Sequence, residues 1–185
     1  NIVVKGLVVN RSSGSAFIIG ADNIRVQGNY VGVDPTGLIE KPNFLNGVNG
    51  GVVGFQDGDD ALIGGSNPED RNIISGNNGA GITPNTGNDG WAIKGNYVGM
   101  GADGVVPVSN SEFFNGPGGL SIDNCDNIVV GGSEVGATNV ISGNHNFGIF
   151  PDNTKGLVIQ GNIIGPDWKG DAIASNPQPG GIGLV

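Results

Sequence analysis

The sequence GNYVG occurs at Gly28–Gly32 and returns 67 residues later at Gly95–Gly99. The sequence NIISGN at Asn72–Asn77 returns as NVISGN at Asn139–Asn144 with the same offset of 67, and GNIIG follows at Gly161–Gly165. Separate markers that share one period are the signature of a repeat architecture, in which each repeat packs only on its neighbours. The 185-residue chain is therefore interpreted as a solenoid rather than as an ordinary globular domain.

Each long repeat divides into two rungs of short β-segments. In every rung an aliphatic residue stands two positions before the Gly that ends the first segment: Val4, Val26, Ile63, Ile93, Val130 and Ile159. A second segment follows the first in each rung, and a third comes later, at 16–19, 51–55, 81–84, 119–123, 148–152 and 181–185. Apolar residues two positions apart are typical of half-buried strands. We therefore expect an all-β parallel solenoid of about six rungs with three short strands each.

Glycine and asparagine dominate the composition. The chain has 37 Gly and 24 Asn residues, and both residue types favour turns over helices. A helical protein is therefore excluded, and collagen is excluded because the glycines do not recur at every third position. The net charge of −9 argues against nucleic acid as a partner. No apolar stretch approaches the roughly 20 residues of a membrane-spanning helix, so we expect no membrane insertion.

One asparagine opens the second strand of every rung except the first. These residues are Asn29, Asn72, Asn96, Asn139 and Asn162. Stacked at one bend, their side-chain amides can bond to each other and to backbone groups that the bend leaves without partners. A ligand site seldom uses the same residue at every level, so the pattern favours a structural ladder over a polar binding site.

These motifs, together with the Ile/Val-Gly-Gly element at Ile63–Gly65 and Val130–Gly132, resemble right-handed parallel β-helix repeats of large bacterial surface and secreted proteins. Those repeats belong to the broad pectate-lyase-like class of folds, and the resemblance covers essentially the whole chain. It implies right-handed winding, which the spacing alone does not show, and an extracellular or cell-surface location. The class includes lyases, hydrolases, epimerases, adhesins and passive stalks, so the resemblance indicates fold far better than function.

The sequence offers few residues for catalysis. Polysaccharide cleavage on a β-helix needs a carboxylate cluster, or a Ca²⁺ site beside a basic residue. Of the elements carried by polygalacturonase-like enzymes, only the Asp-Asp pair has a match, at Asp59–Asp60 in a turn. The single histidine, His145, lies in a turn, and the single cysteine, Cys125, is expected to be a buried, inert thiol. We therefore name no catalytic residue and leave open whether the protein is an enzyme.

Long insertions follow the second strand in rungs two, four and six. They carry aromatic and acidic residues, namely Asp34, Phe44, Asp103, Phe113, Phe114, Asp167, Trp168 and Asp171. One interpretation is a lateral platform for polysaccharide or another surface protein, where aromatic rings stack on the ligand and carboxylates bind hydroxyls or Ca²⁺. The other is that the loops fold back and cover the sheet below them. The identity of any bound metal stays open at this point.

The sequence therefore predicts a single β-helix segment, residues 1–185, with a structural or adhesive role in an extracellular or cell-surface protein. It would serve as a stalk or filament body that displays loops along one edge. The alternative is a carbohydrate-active enzyme, a polysaccharide lyase or glycoside hydrolase, or a carbohydrate-binding module of the pectate-lyase-like class. Because solenoid ends expose unpaired strand edges, we expect either a longer solenoid or copies that stack end to end.

Overall fold

The chain forms a right-handed parallel β-helix of six rungs, which confirms the predicted fold class. A computed structural model describes residues 1–49, 58–111, 116–171 and 180–184. Its strands form three parallel sheets of six strands, here called sheets A, B and C. Each rung contributes one strand to each sheet in the order A, B, C, so every strand pairs with its counterpart in the rungs before and after it.

The strands are short in all three sheets. Sheet A contains β1 (Ile2–Lys5), β4 (Ile24–Gln27), β7 (Leu62–Gly64), β10 (Ala92–Lys94), β13 (Val129–Gly131) and β16 (Val158–Gln160). Sheet B contains β2 (Val8–Val9), β5 (Tyr30–Val31), β8 (Ile73–Ile74), β11 (Tyr97–Val98), β14 (Val140–Ile141) and β17 (Ile163–Ile164). Sheet C contains β3 (Phe17–Ile18), β6 (Val48–Asn49), β9 (Ile82–Thr83), β12 (Leu120–Asp123), β15 (Phe147–Asp152) and β18 (Gly180–Ile182).

The core lies inside the coil, where equivalent aliphatic residues stack from rung to rung. In sheet A the register places Val4, Val26, Ile63, Ile93, Val130 and Ile159 in one column, as the sequence predicts. In sheet C a second column contains Phe17, Val48, Ile82, Leu120, Ile149 and Ile182. Each fully buried aliphatic side chain contributes about 1.5–3 kcal/mol, so these columns supply the main force that holds the rungs together.

The observed strands differ from the predicted ones mostly at their ends. In rung two the strand of sheet C is Val48–Asn49, whereas the predicted segment 51–55 lies outside the described residues. In rungs two to six each strand of sheet B starts one residue after the Asn that precedes it. The reason is local, because the backbone N–H of Asn29 donates to the side-chain oxygen of Asn72 rather than to a carbonyl of the neighbouring strand.

Two corner loops connect sheets A and B in rungs three and five. The first contains one turn of 3₁₀ helix, Pro68–Asp70. The sequence suggests that Asp70 is solvated, and this is wrong: Asp70 is buried and accepts a hydrogen bond of 2.6 Å from Lys5 Nζ. No helix in the described ranges is long and apolar enough to span a membrane.

Candidate functional site

The five asparagines at the bend between sheets A and B form a continuous hydrogen-bonded column. Each Nδ2 donates to the Oδ1 of the next asparagine, at 2.8–3.1 Å, in the order Asn29, Asn72, Asn96, Asn139 and Asn162. Each Oδ1 also accepts a backbone N–H from the preceding rung. Asn96 shows how completely an amide is used, since its Nδ2 also donates to the Ile63 and Lys94 carbonyls. The inner amides are buried and offer a ligand no accessible polar group.

A second asparagine column, which sequence reasoning missed, lies at the bend between sheets B and C. It runs through Asn43, Asn77, Asn110 and Asn144, with Nδ2-to-Oδ1 distances of 2.9–3.0 Å. In rungs three and five the asparagine comes from the ISGN motif, but in rungs two and four it comes from within an insertion. The sequence does contain a pattern that indicates this second column, because Asn43 and Asn110 are separated by the same 67 residues as Asn77 and Asn144.

A column of aspartates lies at the third corner, between sheets C and A. Its members are Asp22, Asp59, Asp89 and Asp126, and Lys155 takes the equivalent position in the next rung. Each carboxylate accepts the backbone N–H of the following member at 2.7–3.1 Å. Asp59 of the Asp59–Asp60 pair is thus part of a corner that holds consecutive rungs together, and Asp60 is exposed beside it with a positive φ of 55°.

The acidic residues of the insertion loops stabilise their own turns. Asp34 Oδ1 accepts the Thr36 hydroxyl at 2.7 Å and the backbone N–H groups of Leu38 and Ile39. The Thr36 hydrogen bond is the largest cause of the lowered pKa of Asp34. Asp103 Oδ1 accepts two backbone N–H groups of its own loop in the same way. Asp167, which is buried, accepts those of Lys169 and Asp171.

The three loops are hydrogen-bonded to each other along the axis. The Gly37 carbonyl of the first loop accepts from the Ala102 N–H at 2.9 Å, and the Gly104 carbonyl of the second accepts from the Trp168 N–H at 3.2 Å. Beneath them lies a second apolar cluster on the outer face of sheet B. Sheet B contributes Ile73, Tyr97 and Val140 to this cluster, and the loops contribute Val33, Met100 and Val108. The loops therefore fold back and cover the outer face of sheet B, which is one of the two interpretations left open by the sequence.

The proposed platform residues are not brought together into one site. Phe44 is 55% exposed, and its backbone N–H bonds to Ser12 in rung one, whereas Trp168 is 47% exposed in rung six. At about 4.8 Å per rung, four rungs separate these rings by roughly 19 Å along the axis. Asp171 is exposed, and its carbonyl accepts the N–H of Asp167. Phe113 and Phe114 lie outside the described residues.

The single cysteine is buried, and burial raises its pKa to about 12. A thiol with this pKa stays protonated near neutral pH and is a poor nucleophile. Within the described ranges, no group of three or more His, Cys, Asp or Glu side chains lies close enough to hold a metal ion. The described part of the chain therefore presents neither an activated thiol nor a preformed cluster of metal ligands.

One concave site lies on the outer face of sheet C. This cleft has a volume of about 270 Å³. Thr83 lies in it, and its hydroxyl is buried without a hydrogen-bond partner among the residues that the structure describes. Leu45 and Pro117 give the cleft an apolar side, and Asn46 and Ser121 add polar groups. An unpartnered buried hydroxyl costs about 1–3 kcal/mol, so Thr83 is the described residue whose polar group the scaffold leaves unused.

Comparisons with protein-family models, with curated proteins and with solved structures returned no match for this chain. The parallel β-helix architecture is therefore established by the arrangement of the strands themselves.

Proposed function

We propose that the chain is a structural segment of an extracellular or cell-surface protein, a rigid β-helical stalk or filament body. The observation that carries the proposal is the use of the polar side chains. Asparagine amides at two bends and aspartates at the third bond consecutive rungs to each other. The insertion loops extend this bonding along sheet B. Of the residues that look available for chemistry in the sequence, Asp59 and the asparagines join consecutive rungs, and Asp34, Asp103 and Asp167 stabilise their own loops.

Continuous bonding along all three corners favours a load-bearing role. A solenoid whose rungs contact only their neighbours transmits force through each interface in turn. Here each interface between inner rungs combines three strand pairings, stacked aliphatic residues and side-chain bonds at the bends. We take the resemblance to bacterial surface repeats of the pectate-lyase-like class as support for the location, and an adhesive role would use the exposed loops.

The structural role is tested by particle shape and by a panel of polysaccharides. Small-angle scattering on the protein in its natural full length should give an extended, rigid particle. Incubation with acidic and neutral polysaccharides should release neither reducing ends nor unsaturated products. A compact globular particle would contradict the stalk, and reproducible release of products would replace it with an enzyme of the pectate-lyase-like class.

A second candidate function is carbohydrate binding, and the cleft on sheet C favours it. Sugar hydroxyls need hydrogen-bond partners beside an apolar surface, and Thr83, Ser121, Leu45 and Pro117 supply both. The test is a glycan-binding panel with the wild-type protein and the T83V variant. Binding that falls at least about tenfold in T83V would support this function, since loss of one good hydrogen bond costs on the order of 1–2 kcal/mol. Binding unaffected by T83V, or no binding at all, would exclude the cleft.

A further inference from the structure

The cleft on sheet C leads into a pair of aromatic rings in the following rung. Leu120 pairs with Ile82 in the rung before it, and Ser121 pairs with Phe150 in the rung after it. Ile82 and Leu120 are both buried in the core. Since side chains alternate along a strand, the neighbouring Thr83, Ser121 and Phe150 form one column on the outer face, at about 4.8 Å per rung.

Two phenylalanines form an aromatic surface at the end of this column. The ring centroids of Phe147 and Phe150 are 5.1 Å apart, and the rings are tilted by 42°. Gly183 has the position of rung six that is equivalent to Phe150. A Cβ added to it would lie 2.9 Å from Phe150 and 3.0 Å from Phe147, so both rings lie over Gly183 on the outside of sheet C. Both are partly exposed, and such rings pack well on the apolar C–H face of a pyranose.

The cleft supplies hydrogen-bonding groups beside the rings. Asn46 lines the cleft with a fixed amide, because its Oδ1 accepts the backbone N–H of Ala80 at 3.0 Å. Its Nδ2 is the donor that this arrangement leaves for a ligand, and Ser121 adds a half-buried hydroxyl that can donate and accept. From Asn46 in rung two to Phe150 in rung five is about 14 Å, the length of roughly three sugar residues in an extended glycan.

The backbone of this face is already paired, which disfavours a peptide as the ligand. Strand β9 pairs with β6 and β12, and β12 pairs with β9 and β15. A peptide that adds to a sheet as a strand needs an edge with unpaired backbone groups. A glycan needs hydrogen-bonding side chains and an apolar surface instead, and the cleft and the two rings provide them.

The charges beside the cleft select a glycan without carboxylates. Among the described residues that line the cleft, none is charged. Asp123 and Asp152 pair with each other on the same outer face, two positions after Ser121 and Phe150. The described strands of sheet C contain no lysine or arginine. The carboxylate of an acidic sugar would therefore lie near two aspartates without a cation to bind it, which is unfavourable.

We propose that the cleft and the adjacent phenylalanines bind a linear, uncharged oligosaccharide. One sugar ring stacks on Phe147 and Phe150, and hydroxyl groups of the neighbouring sugars bond to Ser121 and Asn46. The inference rests on the second candidate function given above, carbohydrate binding by this cleft, and adds the class of glycan and the aromatic end of the site.

The test is a calorimetric titration of the wild-type chain with matched pairs of probes. The neutral probes are tetrasaccharides of β-1,4-linked glucose, mannose and galactose. The counterpart of each is the same tetrasaccharide with its primary hydroxyl groups oxidised to carboxylates. We expect at least one neutral probe to bind, and its oxidised counterpart to bind at least about tenfold more weakly.

Two variants test the residues that are assigned to the site. F150L keeps an apolar side chain but removes the ring, and should weaken binding of the neutral probe about fivefold. Its control is W168L, which removes an exposed ring from the insertion loops over sheet B. S121K adds a cation to the cleft and should raise the affinity for the oxidised probe at least about fivefold. V135K is the matched control, because Val135 is 96% exposed in the corner loop of rung five.

The outcomes separate this inference from the function on which it rests. Oxidised probes that bind as tightly as the neutral ones would overturn the selection of an uncharged glycan and leave carbohydrate binding intact. Binding that F150L leaves unchanged, or that W168L weakens equally, would overturn the assignment of the phenylalanines. If none of the probes binds, both the inference and carbohydrate binding by the cleft are overturned. Far-UV circular dichroism and melting curves confirm that each variant folds.

Discussion

A column of hydrogen-bonded asparagines lies at the bend between sheets A and B, and a similar column lies at the bend between sheets B and C. The two columns differ in where their asparagines stand in the sequence. At the first bend one Gly and one Asn join two strands directly in three of the six rungs, as at Gly28–Asn29. At the second bend Asn43 and Asn110 lie within insertions, whereas Asn77 and Asn144 follow their strands closely. Both columns nevertheless have hydrogen bonds of about equal length. The comparison shows that the folded structure, and not the local sequence, sets the requirement. At every rung the backbone N–H and C=O groups that a bend removes from strand pairing need another hydrogen-bond partner.

The largest expected effect comes from removing one asparagine in the middle of each column. N96A removes the side-chain oxygen that accepts the backbone N–H and Nδ2 of Asn72, and N110A removes the one that accepts the backbone N–H and Nδ2 of Asn77, so each variant leaves a buried backbone N–H without its partner. We expect each variant to lower the free energy of unfolding by about 3 kcal/mol or more. Urea denaturation monitored by circular dichroism measures both. A near-neutral N110A beside a damaging N96A would show that the second bend is not equivalent to the first.

The next effect separates packing from backbone strain in the loops. Gly104 and Gly170 both have positive φ, 69° and 88°, but of the two only Gly104 is enclosed by described residues, namely Tyr97 and Trp168. G104A should therefore lower the free energy of unfolding by about 2–3 kcal/mol, because the added methyl group causes a steric clash as well as backbone strain. G170A adds only the backbone strain and should lower it by about 1 kcal/mol. Thermal melting of both variants measures the difference. Equal losses would argue that the second insertion loop is not packed as closely on sheet B as the hydrogen bonds indicate.

A third effect compares the two corner loops, each of which has one ion pair. Asp70 is buried beside Lys5, whereas Glu134 is exposed beside Lys94. The hydrogen bond from Lys5 is the main cause of the lowered pKa of Asp70, followed by that from Asn67. We expect D70N to destabilise the protein by about 1–2 kcal/mol at pH 7, and E134Q to have a much smaller effect.

The pH dependence of D70N follows from the direction of this pKa shift. A carboxyl whose pKa is lower in the folded state stabilises the fold above its unfolded value of about 3.8. That contribution disappears as the pH falls through the folded pKa. Melting curves of wild type and D70N should therefore differ at pH 7, begin to converge as the pH falls below about 3.8, and merge only below the lower pKa that Asp70 has in the folded state. A difference that persists unchanged at pH 2 would show that Asp70 acts through packing rather than through its charge.

The smallest effect distinguishes a hydroxyl that the scaffold uses from one that it leaves unpaired. Thr36 donates to Asp34 at 2.7 Å, whereas the Thr83 hydroxyl in the cleft is buried and has no partner in the described part of the chain. T83V should raise the free energy of unfolding by about 0.5–1 kcal/mol, and T36V should lower it slightly. Both are measured by denaturant titration. A T83V variant that loses stability would indicate that its hydroxyl has a structural partner.

Much of the fold was predictable because its signals are local and repeated. The column Val4, Val26 and Ile63 continues through the sheet in the predicted register, since each rung must present an aliphatic residue at the same level. The asparagines at the first bend are equally visible, because each follows a Gly or lies next to a strand in sequence. Boundaries were less predictable: sheet C in rung two uses Val48–Asn49, since pairing with neighbouring rungs selects the strand.

The candidate site was less predictable because the folded loop decides whether the partner of a polar side chain lies in the same turn or in a distant part of the chain. Asp34, Asp103 and Asp167 look like ligand carboxylates in the sequence, yet their oxygens bond to their own turns. Asp70 looks solvated but lies 65 residues from the lysine that binds it. No local pattern reports whether a carboxylate points toward solvent or into its own loop.

The sequence by itself therefore determined the period, the winding into rungs and the residues that stack inside them, because these depend on repetition along the chain. Only the tertiary structure decided that the insertion loops bond to each other and cover sheet B, that a second asparagine column closes the other bend, and that no described residue bonds to the buried hydroxyl of Thr83. The physical reason is that hydrogen-bond satisfaction is a condition on neighbours in space. In a solenoid those neighbours lie in nearby rungs, and the number of residues between them in the sequence depends on the length of each insertion.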